Sequence, residues 1–162
     1  KKETTKTFQH ASDKMASVKI TQVEADRLLK MLKRTLISEI NFPTIGESVE
    51  FNVAGDSKQD IFAINIFRGK INRLKYNIGA RIVKNGILLL ELHINPSNVH
   101  PNPDGEKITG SHWHIYSEEY GRLWAFPAEN IDSEEFIENT MLFLEKFNVI
   151  ESPTINFQME LV

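Results

Sequence analysis

The hydrophobic period of this chain changes partway along, and the change restricts it to a mixed fold. From Thr21 to Ile40 apolar residues recur at three- and four-residue spacing, whereas Val49, Phe51 and Val53 alternate with polar neighbours, as do Phe62, Ile64 and Ile66. The first spacing is that of one helix face; the second is that of a strand buried on one side. A chain that switches period in this way, then returns to helical spacing near its end, predicts an α+β domain.

The first helix begins at a capping box. Thr21-Gln22-Val23-Glu24 has the T-x-x-E form in which threonine and glutamate satisfy each other's free backbone donors. Ala25, Leu28, Leu29, Leu32, Leu36 and Ile40 would form its apolar stripe, leaving Arg27, Lys30, Lys33 and Arg34 largely to solvent. Asn41-Phe42-Pro43 ends it, because the residue before proline avoids the helical region. Beyond lies a meander: a hairpin turning at Gly55–Lys58, a third strand over Ile71–Ile78, a fourth over Ala80–Val83 and a fifth over Ile87–Ile94. Asn85-Gly86 predicts a type I′ turn. A last hairpin joins His112–Tyr116 to Arg122–Phe126. Asp132 and Glu135 predict the cap of a closing helix with Phe136, Ile137, Met141, Leu144 and Phe147 inward, and Thr154–Leu161 predicts an edge strand. The expected architecture is an antiparallel meander with the N-terminal and C-terminal helices packed on one face.

Residues 1–19 lack periodicity and read as a flexible or appended arm before a single domain over 20–162, with Met15 a candidate initiator. In 162 residues there are no cysteines, which excludes thiol nucleophiles, redox pairs and thiolate metal sites. The longest apolar run, Gly86–Leu90, falls far short of the ~20 residues that span a bilayer. The expectation is a cytoplasmic protein without a membrane partner.

Four of the five histidines, His93, His100, His112 and His114, fall within 22 consecutive residues. Strand alternation puts Trp113 and Ile115 on one face and His112, His114 and Tyr116 on the other. In the preceding strand Leu88, Leu90, Leu92 and Ile94 share one face, Glu91 and His93 the opposite one. If the two strands pair, His93, His112 and His114 converge. Their connection, Asn95 to Ser111, is 17 residues long and stiffened by Pro96, Pro101 and Pro103, with Asn102-Pro103-Asp104-Gly105 set for a tight turn. It could hold His100 and Asp104 over the strands. His93, His100, His112, His114 and Asp104 are therefore the candidate ligands of a divalent ion, most simply zinc. Two other readings stay open: acid–base or phosphate-binding histidines, and histidines that hydrogen-bond loop backbone. Glu91, Asp104 and Glu118 are candidate general bases, but no spacing singles one out and no catalytic residue is assigned. HExxH, P-loop, GxSxG and dinucleotide motifs are absent.

Charge is unevenly spread. Ile61–Leu90 holds six basic residues and no acidic one, whereas Glu129 to the end holds eight acidic residues against Lys146 alone. Arg68, Lys70, Arg73 and Lys75 are candidate contacts for phosphate or a partner, and Glu134, Glu135 and Glu138 for a basic partner; solvated faces are the simpler alternative. Trp113 and Trp124 read as packing residues, or as stacking platforms for nucleic-acid bases. Arg122 reads as a turn residue, or as a ligand for phosphate or carboxylate.

The string His93-x-Asn95-Pro96, His100-Pro101-Asn102-Pro103-Asp104-Gly105, Gly110-x-His112-x-His114-x-Tyr116 and Tyr120-Gly121-x-x-Trp124-Ala125-x-Pro127 resembles a family of small bacterial and prophage proteins of unknown function. The resemblance runs from about Ile20 through Pro153 and implies context rather than chemistry. Mobile-element proteins often act on host defence or RNA metabolism, and the chain's character is similar to that of anti-CRISPR proteins, phage inhibitors that block a nuclease by contact. The leading expectation is a small zinc-binding interaction protein that inhibits a host defence nuclease. The alternative is a metal- or histidine-dependent, toxin-type nuclease that grips RNA through its basic strands.

Overall fold

The computed structural model describes residues 18–158, so nearly all of the expected arm lies outside the described residues. Helix α1 spans Gln22–Lys30, and the Thr21 hydroxyl accepts the Glu24 N–H at 3.1 Å. Only half of the capping box forms, because the Glu24 carboxylate turns instead to Arg27, with both bonds at 2.8 Å. The helix stops ten residues before the expected Ile40. Lys33–Thr35 forms strand β1 and Glu39–Asn41 forms β2, while Leu32 and Leu36 are exposed. Tertiary pairing overrides the periodicity here: β1 is claimed on both sides, by β3 (Ser48–Ala54) and by β11 (Val149–Glu151).

Lys33, expected in solvent, is fully buried. Its ammonium donates to the carbonyls of Met31 at 2.9 Å, Phe147 at 2.8 Å and, at 3.4 Å, Leu29, and lies 3.8 Å from the centre of the Phe147 ring. A cation thus satisfies acceptors at the C-terminal end of α1, the negative end of its dipole. Even so, loss of water lowers its pKa to about 7.

The meander continues through β4 (Ile61–Arg68), β5 (Tyr76–Ile82) and β6 (Leu88–Ile94). The expected third and fourth strands are one strand, β5; Ile71 instead sits fully exposed in the turn that precedes it. The Asn85-Gly86 turn is a four-residue loop closed by Gly86 N–H on the Ile82 carbonyl (2.8 Å), and only its glycine has positive φ. It is therefore not type I′, which needs positive φ at both central residues. A bulge follows, since Ala80 faces Leu90 while Arg81 faces Leu88. Leu89 is the extra residue, so Leu88 joins Gly79 and Glu91 on the outer face instead of sharing the face of Leu90.

Strands β9 (His112–Ile115) and β10 (Ala125–Pro127) complete an eight-stranded sheet of order β10-β9-β6-β5-β4-β3-β1-β11, antiparallel except where β1 meets β11. Helix α2 (Phe136–Lys146) follows. Its expected Asp132–Glu135 cap does not form: Asp132 accepts the Glu134 N–H in a local turn, and no side chain caps the helix. Asn148, at φ 60°, then turns the chain into β11. The tail strand, β12 (Thr154–Asn156), pairs in parallel with β2 in a separate two-stranded sheet.

One core lies between the helices and one sheet face, where Phe51, Phe62, Ile64, Ile66, Ile78, Leu90 and Leu92 meet Ala25, Leu28, Phe143 and Phe147. Trp113 belongs to it, stacked on Phe143 at 6.1 Å. The opposite face carries Asn77, Glu91 and His93, and it is there that the histidines gather. Among the described residues, no helix is long and apolar enough to cross a membrane.

Candidate metal centre

Pairing of β6 with β9 sets Glu91 opposite His114 and His93 opposite His112. Because residues two apart share a strand face, three imidazoles project together from two neighbouring strands. Their ring centres lie 4.7–5.1 Å apart, and one potential ligand atom from each falls within 4.8 Å of the others. Nitrogens around a tetrahedral zinc sit roughly 3.4 Å apart, given zinc–nitrogen bonds near 2.1 Å. An ion bound there would draw the most widely spaced of these atoms closer together.

The fourth ring arrives from the loop. Asn95, at φ 53°, turns the chain off β6, and its N–H donates to the Ser111 hydroxyl at 3.0 Å. The 17-residue connection contains its own small hairpin, β7 (His100–Pro101) and β8 (Lys107–Ile108), closed through Asn102-Pro103-Asp104-Gly105 by Gly105 N–H on the Asn102 carbonyl. The side chain of buried Asn102 grips β10, donating to the Ala125 carbonyl at 3.0 Å and accepting the Ala125 N–H at 2.7 Å. His100 is thereby set 4.8 Å from His114 and 5.6 Å from His112, ring centre to ring centre. Asp104 is not brought in. It sits exposed at the turn, where its carboxylate accepts the Glu106 N–H.

Each ring commits one nitrogen to an oxygen that can only accept. His112 Nδ1 donates to Gly110 O at 2.9 Å and His114 Nδ1 to Arg122 O at 2.7 Å. His100 Nε2 donates to Leu123 O at 2.7 Å, and His93 Nε2 to the Glu91 carboxylate at 3.3 Å. In a neutral imidazole the remaining nitrogen is then a lone pair, which is the state a metal requires. Burial, the largest cause, lowers the pKa of His112 and brings that of His114 to about 4. Both are therefore neutral at pH 7.

Glu91 anchors this arrangement. It is 7% exposed, and Arg122 holds it with two bonds, Nε to Oε2 at 2.8 Å and Nη2 to Oε1 at 2.6 Å. Burial alone would raise its pKa, but the bond from His93 and the Arg122 charge outweigh that and hold it below the usual carboxylate range. Arg122 is thus a carboxylate ligand within the chain itself. Glu118 is drawn away to the start of α1, where it accepts the Gln22 N–H at 2.9 Å. Tyr116 also leaves the histidine face: past the end of β9 its ring enters the core, and its hydroxyl bonds the backbone of Ile20.

The rings line a cavity of about 410 Å³ together with Lys75, Asn77, Ser97, Asn98, Arg122 and Leu123. Asn77 enters because β5 sets it opposite His93. No periodicity marks it, nor Ser97, as a site residue. Of the basic set expected on the surface, Arg68 is 1% exposed, with its guanidinium 4.6 Å from the Phe136 ring centre and Nε bonded to the Arg73 carbonyl. It cannot serve an external partner. Lys75 faces the cavity and bonds Ser97, whereas Lys70, Arg73, Glu134, Glu135 and Glu138 are exposed. Arg81 pairs with Glu50, so the basic segment forms no continuous strip of uncompensated charge.

No curated protein and no solved structure matches the chain. A family model, DUF6978, described as a family of unknown function, matches residues 20–149, and the chain belongs to that family.

Proposed function

We propose that this chain is a zinc-binding protein, with His93, His112 and His114 as ligands and His100 as the fourth ring, and that the centre serves recognition rather than catalysis. The observation that carries the reading is the shared pattern of the four rings, each with one nitrogen tied to an acceptor and the other left as a lone pair. Such second-sphere bonds orient imidazoles for an ion before it arrives. The loop is already held by Asn102, so an ion is not needed to fold it, and the cavity gives ligands access to the rings.

Recognition is favoured over hydrolysis because no carboxylate lines the cavity among the described residues, and Glu91 is committed to Arg122 and His93. A zinc-bound water would lack the carboxylate base that many zinc hydrolases employ. On this reading the partner is a protein, and the exposed Glu134, Glu135 and Glu138 suit the basic surface of a nucleic-acid-binding nuclease, in the manner of contact inhibitors from mobile elements. Toxin-type cleavage of RNA is the competing activity, and its support is the pair of cations, Lys75 and Arg122, at the cavity.

Elemental analysis of protein purified without chelator or nickel affinity tests the centre. We expect about one zinc per chain, lost in the His112→Ala, His114→Ala double variant. A wild-type chain that binds no zinc when titrated would refute the reading. RNA cleavage that disappears in the double variant, with the fold intact, would move the assignment to a nuclease.

A further inference from the structure

We infer that the histidine cavity takes a phosphate group, carried by a small phosphomonoester, as the exchangeable ligand of the metal. The inference rests on the zinc reading above and adds the chemistry of the occupant. Imidazoles are neutral whether His93, His112 and His114 alone or all four rings coordinate, so the +2 charge of a bound ion stays uncompensated, and an anion is favoured in the position that His100 leaves open or as a fifth ligand beside it. The walls supply further positive charge: Lys75 and Arg122 line the cavity, and no lining residue among those described is acidic.

The donors are suited to an oxyanion with several oxygens. Lys75 Nζ reaches into the loop wall, where it donates to the Ser97 hydroxyl at 3.0 Å. Arg122 spends Nε and Nη2 on Glu91, which fixes the plane of its guanidinium while leaving it other N–H donors. Asn77 adds a neutral hydrogen-bonding group beside His93. A carboxylate has two oxygens and one charge, whereas a phosphomonoester near neutral pH has three free oxygens and close to two charges. Metal, lysine and arginine together match the latter. A volume of about 410 Å³ exceeds what a lone phosphate fills and lies in the range of small-molecule sites, so the ester's organic part has room.

The test is calorimetric titration of the full chain, with zinc content measured on the same samples. The probes are inorganic phosphate, adenosine 5′-monophosphate and acetate, applied to zinc-loaded and zinc-free wild type and to zinc-loaded Lys75→Met. Lys75 is not a metal ligand, so its variant keeps its zinc. We expect phosphate and the nucleotide to bind the zinc-loaded protein at least tenfold more tightly than acetate, and more tightly than they bind the zinc-free chain. Lys75→Met should weaken phosphate by about tenfold, the loss of one charge-assisted bond. Acetate binding as tightly as phosphate, or unchanged phosphate affinity in Lys75→Met, overturns the inference while leaving the zinc centre standing. Absence of zinc binding by the wild type overturns both.

Discussion

Replacing Glu91 by glutamine separates the two things its carboxylate does. The side chain is 7% exposed and accepts three bonds, from Arg122 at 2.8 and 2.6 Å and from His93 at 3.3 Å. Glutamine keeps the shape but removes the charge and places an N–H₂ where a donor already points. Hydrogen bonds to charged groups contribute roughly 1.5–3 kcal/mol. Arg122 is 53% exposed, however, so water replaces part of what it loses, and the expected cost is about 1–2 kcal/mol. For a domain of this size that lowers Tm by roughly 2–8 °C. On the proposed zinc reading, the second consequence falls on the ion. With its outer nitrogen no longer held by a carboxylate, His93 loses both orientation and basicity, and zinc affinity should fall about 10- to 100-fold. Thermal unfolding followed by circular dichroism reads the first effect, and competition with a chromophoric chelator reads the second. The acid limb supplies a third readout. Because the folded pKa of Glu91 lies below its ordinary 4.5, its contribution is complete above that value and is lost as pH falls through the folded pKa; the gap between wild type and variant should close there. If Glu91→Gln lowers Tm but binds zinc as wild type does, the carboxylate is only structural and the second-sphere argument is wrong.

Three further outcomes follow from the same structure. The folded pKa of His114 is depressed to about 4 from 6.5, so between those values the unfolded chain binds more protons; zinc-free wild type should lose stability as pH falls from 6.5 to 4, and His114→Asn should flatten that slope in melting curves. Lys33, lowered to about 7 from 10.5, acts on the alkaline side: its unfavourable burial is fully felt below pH 7 and relieved above it, so wild type should gain stability relative to Lys33→Met from pH 7 towards 10.5, and a constant difference in urea midpoints would contradict this. At Gly86, with φ +77° and open space where a Cβ would lie, alanine should cost only the strain of the left-handed backbone, about 1–2 kcal/mol in chemical denaturation.

The class of fold and the gathering of the histidines are both legible in local residue patterns. Alternation along β6 and β9 is a local property, and once it placed Leu92 and Trp113 in the core it obliged His93, His112 and His114 to share the other face. The prolines of the connection likewise announced a built loop, and Asn102-Pro103-Asp104-Gly105 makes its turn. The features that no local pattern carries depend on partners distant in the chain. Helix α1 ends at Lys30 because β3 and β11 take the next residues into the sheet, and β11 lies more than a hundred positions away. Lys33 and Arg68 look like surface cations in any local window; some of their acceptors are local, but the Phe147 and Pro43 carbonyls and the rings of Phe147 and Phe136 that complete their surroundings come from the other end of the chain or from across the fold. The bulge at Leu89 turns Leu88 outward, and Tyr116 is recruited to the core beside α1. At the site, Arg122 reads locally as a turn residue, or as a ligand for phosphate or carboxylate. Only pairing of β6 with β9, and the turn beyond it, bring Glu91 within its reach and set His93, His112 and His114 close enough to hold an ion.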